Sequence, residues 1–295
     1  MTETAALHHR RGLVITAIGG LALSVDVPLL RLGQGDIWSV LAVRSSTTFV
    51  VGLILWLLVR RFTRARPPLV PGKAGALAGL FYGLSSMTFL GAVFHTSTAN
   101  VVFIVAFTPM FAALLAWIFL KDRPSTATLL TMAAMIFGVS LIVSGGMTGG
   151  HLLGNLLAVL SALLLAGAIT IGRAHQLDMG FVPLIATALP AAIGLAVALP
   201  TGIVIAHPGW IFLDGALMIP LAFWCLATGP RYLSGPEVGM FYLLETILAP
   251  LWVWMIFAEV PTARGLVGGA ILVGALVTYS AWQMRVRRGA VAFNH

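Results

Sequence analysis

The chain has 295 residues, of which 59% are apolar and only 9% charged, and its mean hydropathy is +1.01. Soluble chains are roughly a quarter charged, so nine acidic and seventeen basic side chains cannot cover a water-facing surface, and a pair of soluble domains is excluded. The apolar excess must face lipid, which leaves the formal net charge of +8 to be explained by nucleic acid or by basic loops beside a membrane.

Hydropathy and charge breaks predict ten helices, at about 12–31, 37–59, 74–94, 97–119, 126–144, 154–172, 181–200, 212–229, 236–257 and 265–283. Each approaches the roughly 20 residues needed to span a bilayer. Arg10 and Arg11 precede the first span as in a signal peptide. That span contains Asp26, however, and runs toward a second without a small-residue cleavage site, so it reads as a retained helix. The second span carries Arg44, and the third carries Tyr82, Ser85, Ser86 and Thr88. His95 falls in the turn before the fourth span, which contains Asn100. The run Ser144-Gly145-Gly146-Met147-Thr148-Gly149-Gly150 is the expected linker between two halves, 1–150 and 151–295. Trp224 and the single cysteine, Cys225, lie in the eighth span, and Glu237, Tyr242 and Glu245 in the ninth.

Five prolines, Pro28, Pro109, Pro190, Pro220 and Pro250, sit inside spans, where each removes a helix hydrogen bond and favours a kink. The small-residue patterns Ala134-x-x-x-Gly138 and Gly265-x-x-x-Gly269 suit close packing of the fifth and tenth spans, within one chain or between two. With ten spans and the N-terminus inside, fourteen basic residues fall on the cytoplasmic side, while only Arg31 and Arg264 fall outside. The positive-inside rule therefore accounts for the charge, and nucleic acid loses its support. Arg44 is the basic residue that topology leaves unexplained.

Sliding the chain on itself so that Ser97 meets Ser234 also superposes Trp117 on Trp254, Asp122 on Glu259 and Pro124 on Pro261. The matching spans are the fourth and ninth. Being five apart, they cross the membrane in opposite directions, as in inverted-repeat transporters. The ten spans, the Leu41-Ala42-Val43-Arg44-Ser45-Ser46 segment and the ending Thr108-Pro109-Met110-Phe111-Ala112-Ala113-Leu114-Leu115-Ala116-Trp117 with its acidic turn and proline resemble the EamA-type exporters of the drug/metabolite transporter superfamily. Within it the chain looks most like the aromatic amino-acid exporter branch. It departs in having Lys121-Asp122-Arg123 where Gly-Glu-Arg is usual, and in lacking a sixth-span tryptophan. The resemblance implies an all-α integral membrane fold of two inverted five-helix repeats, a bacterial inner-membrane location and export of small metabolites, aromatic amino acids being favoured.

Ionisable side chains inside a membrane are costly and therefore functional candidates. Asp26 and Arg44 lie at comparable depths, roughly 8–11 Å below the same ends of consecutive spans. An ion pair is geometrically allowed, either as a helix lock or as a gate in which Arg44 takes a substrate carboxylate. Arg231 and Glu237 form a second candidate ion pair near the cytoplasmic end of the ninth span. Tyr82, Ser85, Ser86, Asn100, Trp224, Tyr242 and Glu245 are the candidate cavity lining, with helix packing as the alternative for each hydroxyl. His95 reads as an outer-turn residue. No histidine, cysteine or carboxylate grouping has metal spacing, no cofactor is implied, and no intramembrane protease or prenyl-diphosphate motif occurs. The expected partners are a small-molecule substrate and the lipid bilayer, with the chain a monomer or weak homodimer. A multidrug or quaternary-amine exporter and a channel-like facilitator remain the alternatives.

Overall fold

The computed structural model describes residues 3–62, 67–148, 151–176, 179–228, 232–233 and 235–292. These residues are helical throughout apart from turns and one isolated antiparallel bridge between Gly35 and Ile205. In chain order the helices are α1 (Glu3–Ser24), α2 (Asp26–Leu32), α3 (Ile37–Phe62), α4 (Gly72–His95), α5 (Thr98–Val105), α6 (Thr108–Leu120) and α7 (Thr126–Thr148). They continue as α8 (Leu152–His175), α9 (Val182–Ile185), α10 (Ala188–Thr201), α11 (Pro208–Leu213), a π turn (Asp214–Met218), α12 (Ile219–Thr228), α13 (Gly235–Phe257) and α14 (Ala263–Ala292).

Among the described residues nine helical segments are long and apolar enough to cross a membrane, counting α1–α2, α5–α6, α9–α10 and α11–α12 as single broken spans. At the expected ninth span the chain is helical over Gly235–Phe257, with a described apolar stretch of Phe241–Phe257. The linker expected at 144–150 begins later than its glycines suggest. Helix α7 continues to Thr148. Glycine weakens a helix by only about 1 kcal/mol, and two of them do not end one that is otherwise apolar and packed.

Prolines place the breaks. The α1–α2 turn falls at Val25 before Pro28, the α5–α6 turn at Ala106 and Phe107 before Pro109, and the α9–α10 turn at Ala186 and Thr187 before Pro190. The π turn ends just ahead of Pro220. In each case the ring lacks a donor for the carbonyl one turn back and crowds it, so the strain is relieved on the N-terminal side. Pro250 lies inside an unbroken α13. A π turn inserts one extra residue into an α-helix and re-aims the side chains around it.

The core is a buried apolar cluster built around α5, where Val101, Val102, Phe103 and Ile104 pack against Met132, Met135, Ile142, Leu243 and Leu272 from surrounding helices. Lipid tails are as apolar as leucine, so the cluster gains close packing rather than release from water. Helices α7 and α14 approach so closely that a Cβ on Gly138 would stand 2.8 Å from the Gly268 carbonyl oxygen. The fifth and tenth spans therefore meet within the chain at Gly138 and Gly268, whereas Gly265 and Gly269 of the expected pattern face Asn100 and Phe103 of α5.

Candidate functional site

Arg44, two turns into α3, is the hub of a buried ionic cluster. Its Nη2 donates to both carboxylate oxygens of Asp26 at 2.8 Å, and its Nε donates to Asp214 Oδ2, also at 2.8 Å. The three residues come from α2, α3 and the π turn. Asp26 is 3% exposed and Asp214 is fully buried. The local sequence explains the placement. Asp26 opens α2 just past the Val25 break, and Asp214 opens the π turn. Gly215, next to it, lets the turn press against α3: a Cβ there would stand 2.1 Å from Thr47 Oγ1 and 2.6 Å from the Arg44 carbonyl. Thr48 Oγ1 lies 2.9 Å from both the Arg44 and the Gly215 carbonyl oxygens, and fastens α3 to the turn.

The sequence marks Asp26 and Arg44 as possible partners but does not single out Asp214. It lies near the start of the expected eighth span and reads as a loop or cap carboxylate. The signal that points to it is the Asp-Gly pair at the start of an apolar run, a small residue beside an ionisable one where a helix must approach a neighbour.

Glu245 on α13 is half-buried and within electrostatic range of Asp26 and Arg44. Tyr242, one turn earlier, is in range of both Glu245 and Tyr82 of α4. These residues trace a polar line from α4 through α13 to the Arg44 cluster. Trp224 on α12 is exposed. Ser85 is buried at the α4–α8 contact, where its hydroxyl donates to the Ser161 carbonyl at 2.9 Å. Ser86 lies half-buried on the same helix. Asn100 Nδ2 donates to Thr96 Oγ1 and to Asn155 Oδ1, both at 3.2 Å, which ties α5 to α8. His95 is the last residue of α4 rather than a turn residue, and its Nδ1 donates to the Gly91 carbonyl at 2.7 Å. Arg231 and the side chain of Glu237 lie outside the described residues. Among the described residues no three histidine, cysteine or carboxylate side chains group as metal ligands would.

Two further ion pairs mark opposite faces of the bundle. On one face Arg31, in α2, bridges to Glu259 beyond α13, and the Thr98 backbone N–H donates to the other Glu259 oxygen at 3.1 Å. On the other face Arg173, in α8, meets Asp122 beyond α6 at 3.2 Å. The first pair is only 26% and 24% exposed, while the second is 55% and 61% exposed. Beside the Arg31 pair, the loops after α2 and α10 join through backbone bonds. Asp36 N–H donates to Val204, Ala206 N–H to Gln34 and His207 N–H to Gly33, at 3.0–3.2 Å. Asp36 also caps α3, accepting from the N–H groups of Trp38 and Ser39 at 2.9 and 3.1 Å. Burial pushes its carboxyl up, but the bonds from Ser39 and Trp38 outweigh that and hold it below the usual aspartate value.

A pocket of about 430 Å³ lies at the Asp122–Arg173 face and is lined among others by Arg123, Thr128, Tyr279, Trp282 and Gln283. It is separate from the Arg44 cluster.

Residues 10–144 match the model of the EamA-like transporter family. Among curated proteins, none matches the chain. A solved structure titled "Crystal structure of protein" is similar over 92% of this chain and 98% of its own length, with a TM-score of 0.59 and 15% identity. At that identity the likeness concerns the fold alone. The chain is thus a multi-span membrane protein whose described residues are helical, and its residues 10–144 are similar to the EamA-like transporter family.

Proposed function

We propose that the protein is a secondary transporter that exports small metabolites by alternating access between two inverted five-helix repeats, 1–150 and 151–295. The observation that carries this reading is the relation between the two surface ion pairs. Asp122 and Glu259 occupy corresponding places in the sequence repeat, and the residue before each is left-handed, Lys121 at φ 57° and Ala258 at φ 54°. Their arginine partners also correspond. Arg31 and Arg173 each stand three residues before a left-handed glutamine, Gln34 at φ 47° and Gln176 at φ 50°, at the end of the first span of each half. Each bridge joins one half to the other, and the repeat exchanges one bridge for the other. A two-fold axis in the membrane plane does this, and it lets the two faces open in turn.

In this reading ten spans place both termini in the cytoplasm of a bacterial inner membrane. The substrate lies between the halves, near Tyr82, Trp224, Tyr242 and Glu245. The carboxylate of Glu245 suits an ammonium group, and the rings suit an aromatic or aliphatic side chain. Aromatic amino acids are the favoured class, as in the exporter branch that the chain resembles. Arg44 has committed Nε and Nη2 to aspartates, which supports a helix-holding role over the binding of a substrate carboxylate.

The test is uptake into proteoliposomes across a panel of amino acids and quaternary-amine drugs, with and without a pH gradient. Saturable uptake and counterflow of an amino acid are expected. Linear flux without counterflow would instead identify a channel, and transport confined to quaternary amines would replace the amino-acid assignment.

A further inference from the structure

The charges of the Arg44 cluster do not balance. Two buried carboxylates share one guanidinium at 2.8 Å, and arginine keeps its proton under all ordinary conditions. With both aspartates ionised, the cluster holds a net negative charge out of water, which costs several kcal/mol in effective desolvation. The hydrogen bonds from Arg44 are unequal. Asp26 accepts through both oxygens, whereas Asp214 accepts through Oδ2 alone, and the Asp26 carboxyl lies close enough to share a hydrogen bond with Asp214 when one of the two is protonated. Asp214 Oδ1 is fully buried and has no hydrogen-bond partner.

The surroundings of Asp214 are sparse in charge among the described residues. Helix α2 brings Asp26 and α3 brings Arg44, while α11 and α12 bring no charged side chain. The Cβ of Cys225 on α12 packs against Gly19 of α1. From α13, Glu245 acts on Asp26 and Arg44 at longer range. Among the described residues no second cation reaches Asp214.

We propose that Asp214 Oδ1 is the binding site of a single proton, which the transport cycle takes up and releases. The inference rests on the transporter reading above and names its coupling ion. With the proton bound, Asp214 is a neutral acid, and Arg44⁺ with Asp26⁻ forms a balanced pair. When the O–H bond breaks, its electron pair stays on Oδ1 and the proton passes to water on whichever side is open. The new carboxylate then competes with Asp26 for the guanidinium. One proton thus shifts the hold of Arg44 from α2, in the first half, toward the π turn, in the second. The π turn and the close approach at Gly215 keep the two within bonding distance in both states. At 1.5 Å per residue, Asp214 lies about 9 Å below the start of α11, where a pocket is lined by His207, Trp210 and Leu213.

Infrared spectroscopy of the purified protein in detergent tests the proton without any substrate. At neutral pH the wild type is expected to show a protonated-carboxyl C=O band that Asp214→Asn removes and Glu245→Gln retains. Absence of such a band in the wild type, its survival in Asp214→Asn, or its loss in Glu245→Gln overturns the assignment. Where Asp214→Asn does not fold, the wild-type and Glu245→Gln spectra decide alone. In proteoliposomes, with a substrate found by the uptake screen, Asp214→Asn is expected to lose at least tenfold in pH-gradient-driven accumulation while counterflow continues. Undiminished gradient-driven accumulation overturns the proposal. If the wild type transports nothing, the transporter reading fails, and the infrared result still stands or falls on its own.

Discussion

Lys121 and Ala258 adopt the same left-handed backbone, at φ 57° and 54°, each immediately before a carboxylate that reaches an arginine on a helix distant in sequence. Left-handed geometry costs a residue with a Cβ about 1–2 kcal/mol, so its recurrence at matched positions has a structural cause. It turns the chain sharply at the helix end and aims the next side chain back across the bundle.

The two bridges differ in worth. Arg173–Asp122 is exposed, so a double-mutant cycle on thermal stability in detergent is expected to give a coupling of about 0.2–1 kcal/mol. Arg31–Glu259 is more sheltered, and Glu259 also accepts from a backbone N–H, so its coupling is expected at about 1.5–3 kcal/mol. Equal couplings would contradict this ranking. The charge reversal Arg31→Glu with Glu259→Arg should recover only part of the loss, because the Thr98 N–H is left without an acceptor.

Arg44→Ala leaves Asp26 and Asp214 buried together without their cation. The expected loss is about 3–5 kcal/mol of stability, with transport abolished in protein that still reaches the membrane. Membrane fractionation and vesicle uptake check the two parts. Wild-type transport by this variant would remove any role for the cluster in the cycle.

Gly215→Ala places a methyl group 2.1 Å from Thr47 Oγ1 and 2.6 Å from a backbone oxygen. Overpacking of this kind costs about 1–3 kcal/mol, and here it also pushes Asp214 away from Arg44. Gly209→Ala meets nothing within 4 Å and is the matched control. A lowered melting temperature is expected for the first variant alone.

Asp36→Ala removes the cap of α3 and is expected to cost about 1 kcal/mol at neutral pH. Because folding lowers the Asp36 pKa, its contribution is present above the ordinary value of 3.8 and fades as pH falls through the lower folded value. The difference in melting temperature between variant and wild type should therefore shrink in acid. A difference that grew in acid would contradict the cap.

Much of this architecture is legible in the sequence, because the bilayer imposes a fixed length on each apolar run and proline announces each break. Pro28, Pro109, Pro190 and Pro220 mark where spans bend, and the acid-turn-proline endings after α6 and α13 mark the turns. Asp26 and Arg44 stand out as charges inside spans. Asp214 does not, because its burial comes from a π turn and from the fit of Gly215 against α3, both products of tertiary contact rather than of periodicity. For the same reason Ser85 is hard to place by type alone. A hydroxyl on a membrane helix suits a cavity and a helix contact equally, and the proximity of Ser161 decides.

The loops after α2 and α10 are joined by main-chain hydrogen bonds around Gly35 and Ile205, whereas at the opposite face α8 and the turn after α6 are joined by the exposed pair Arg173–Asp122. Dissolved salt screens exposed charges over a Debye length of about 8 Å at physiological ionic strength and leaves amide-to-carbonyl bonds largely untouched. Raising the ionic strength therefore weakens the exposed Arg173–Asp122 end more than the sheltered Arg31–Glu259 end, and dissolved salt becomes a selective probe of one end of the molecule.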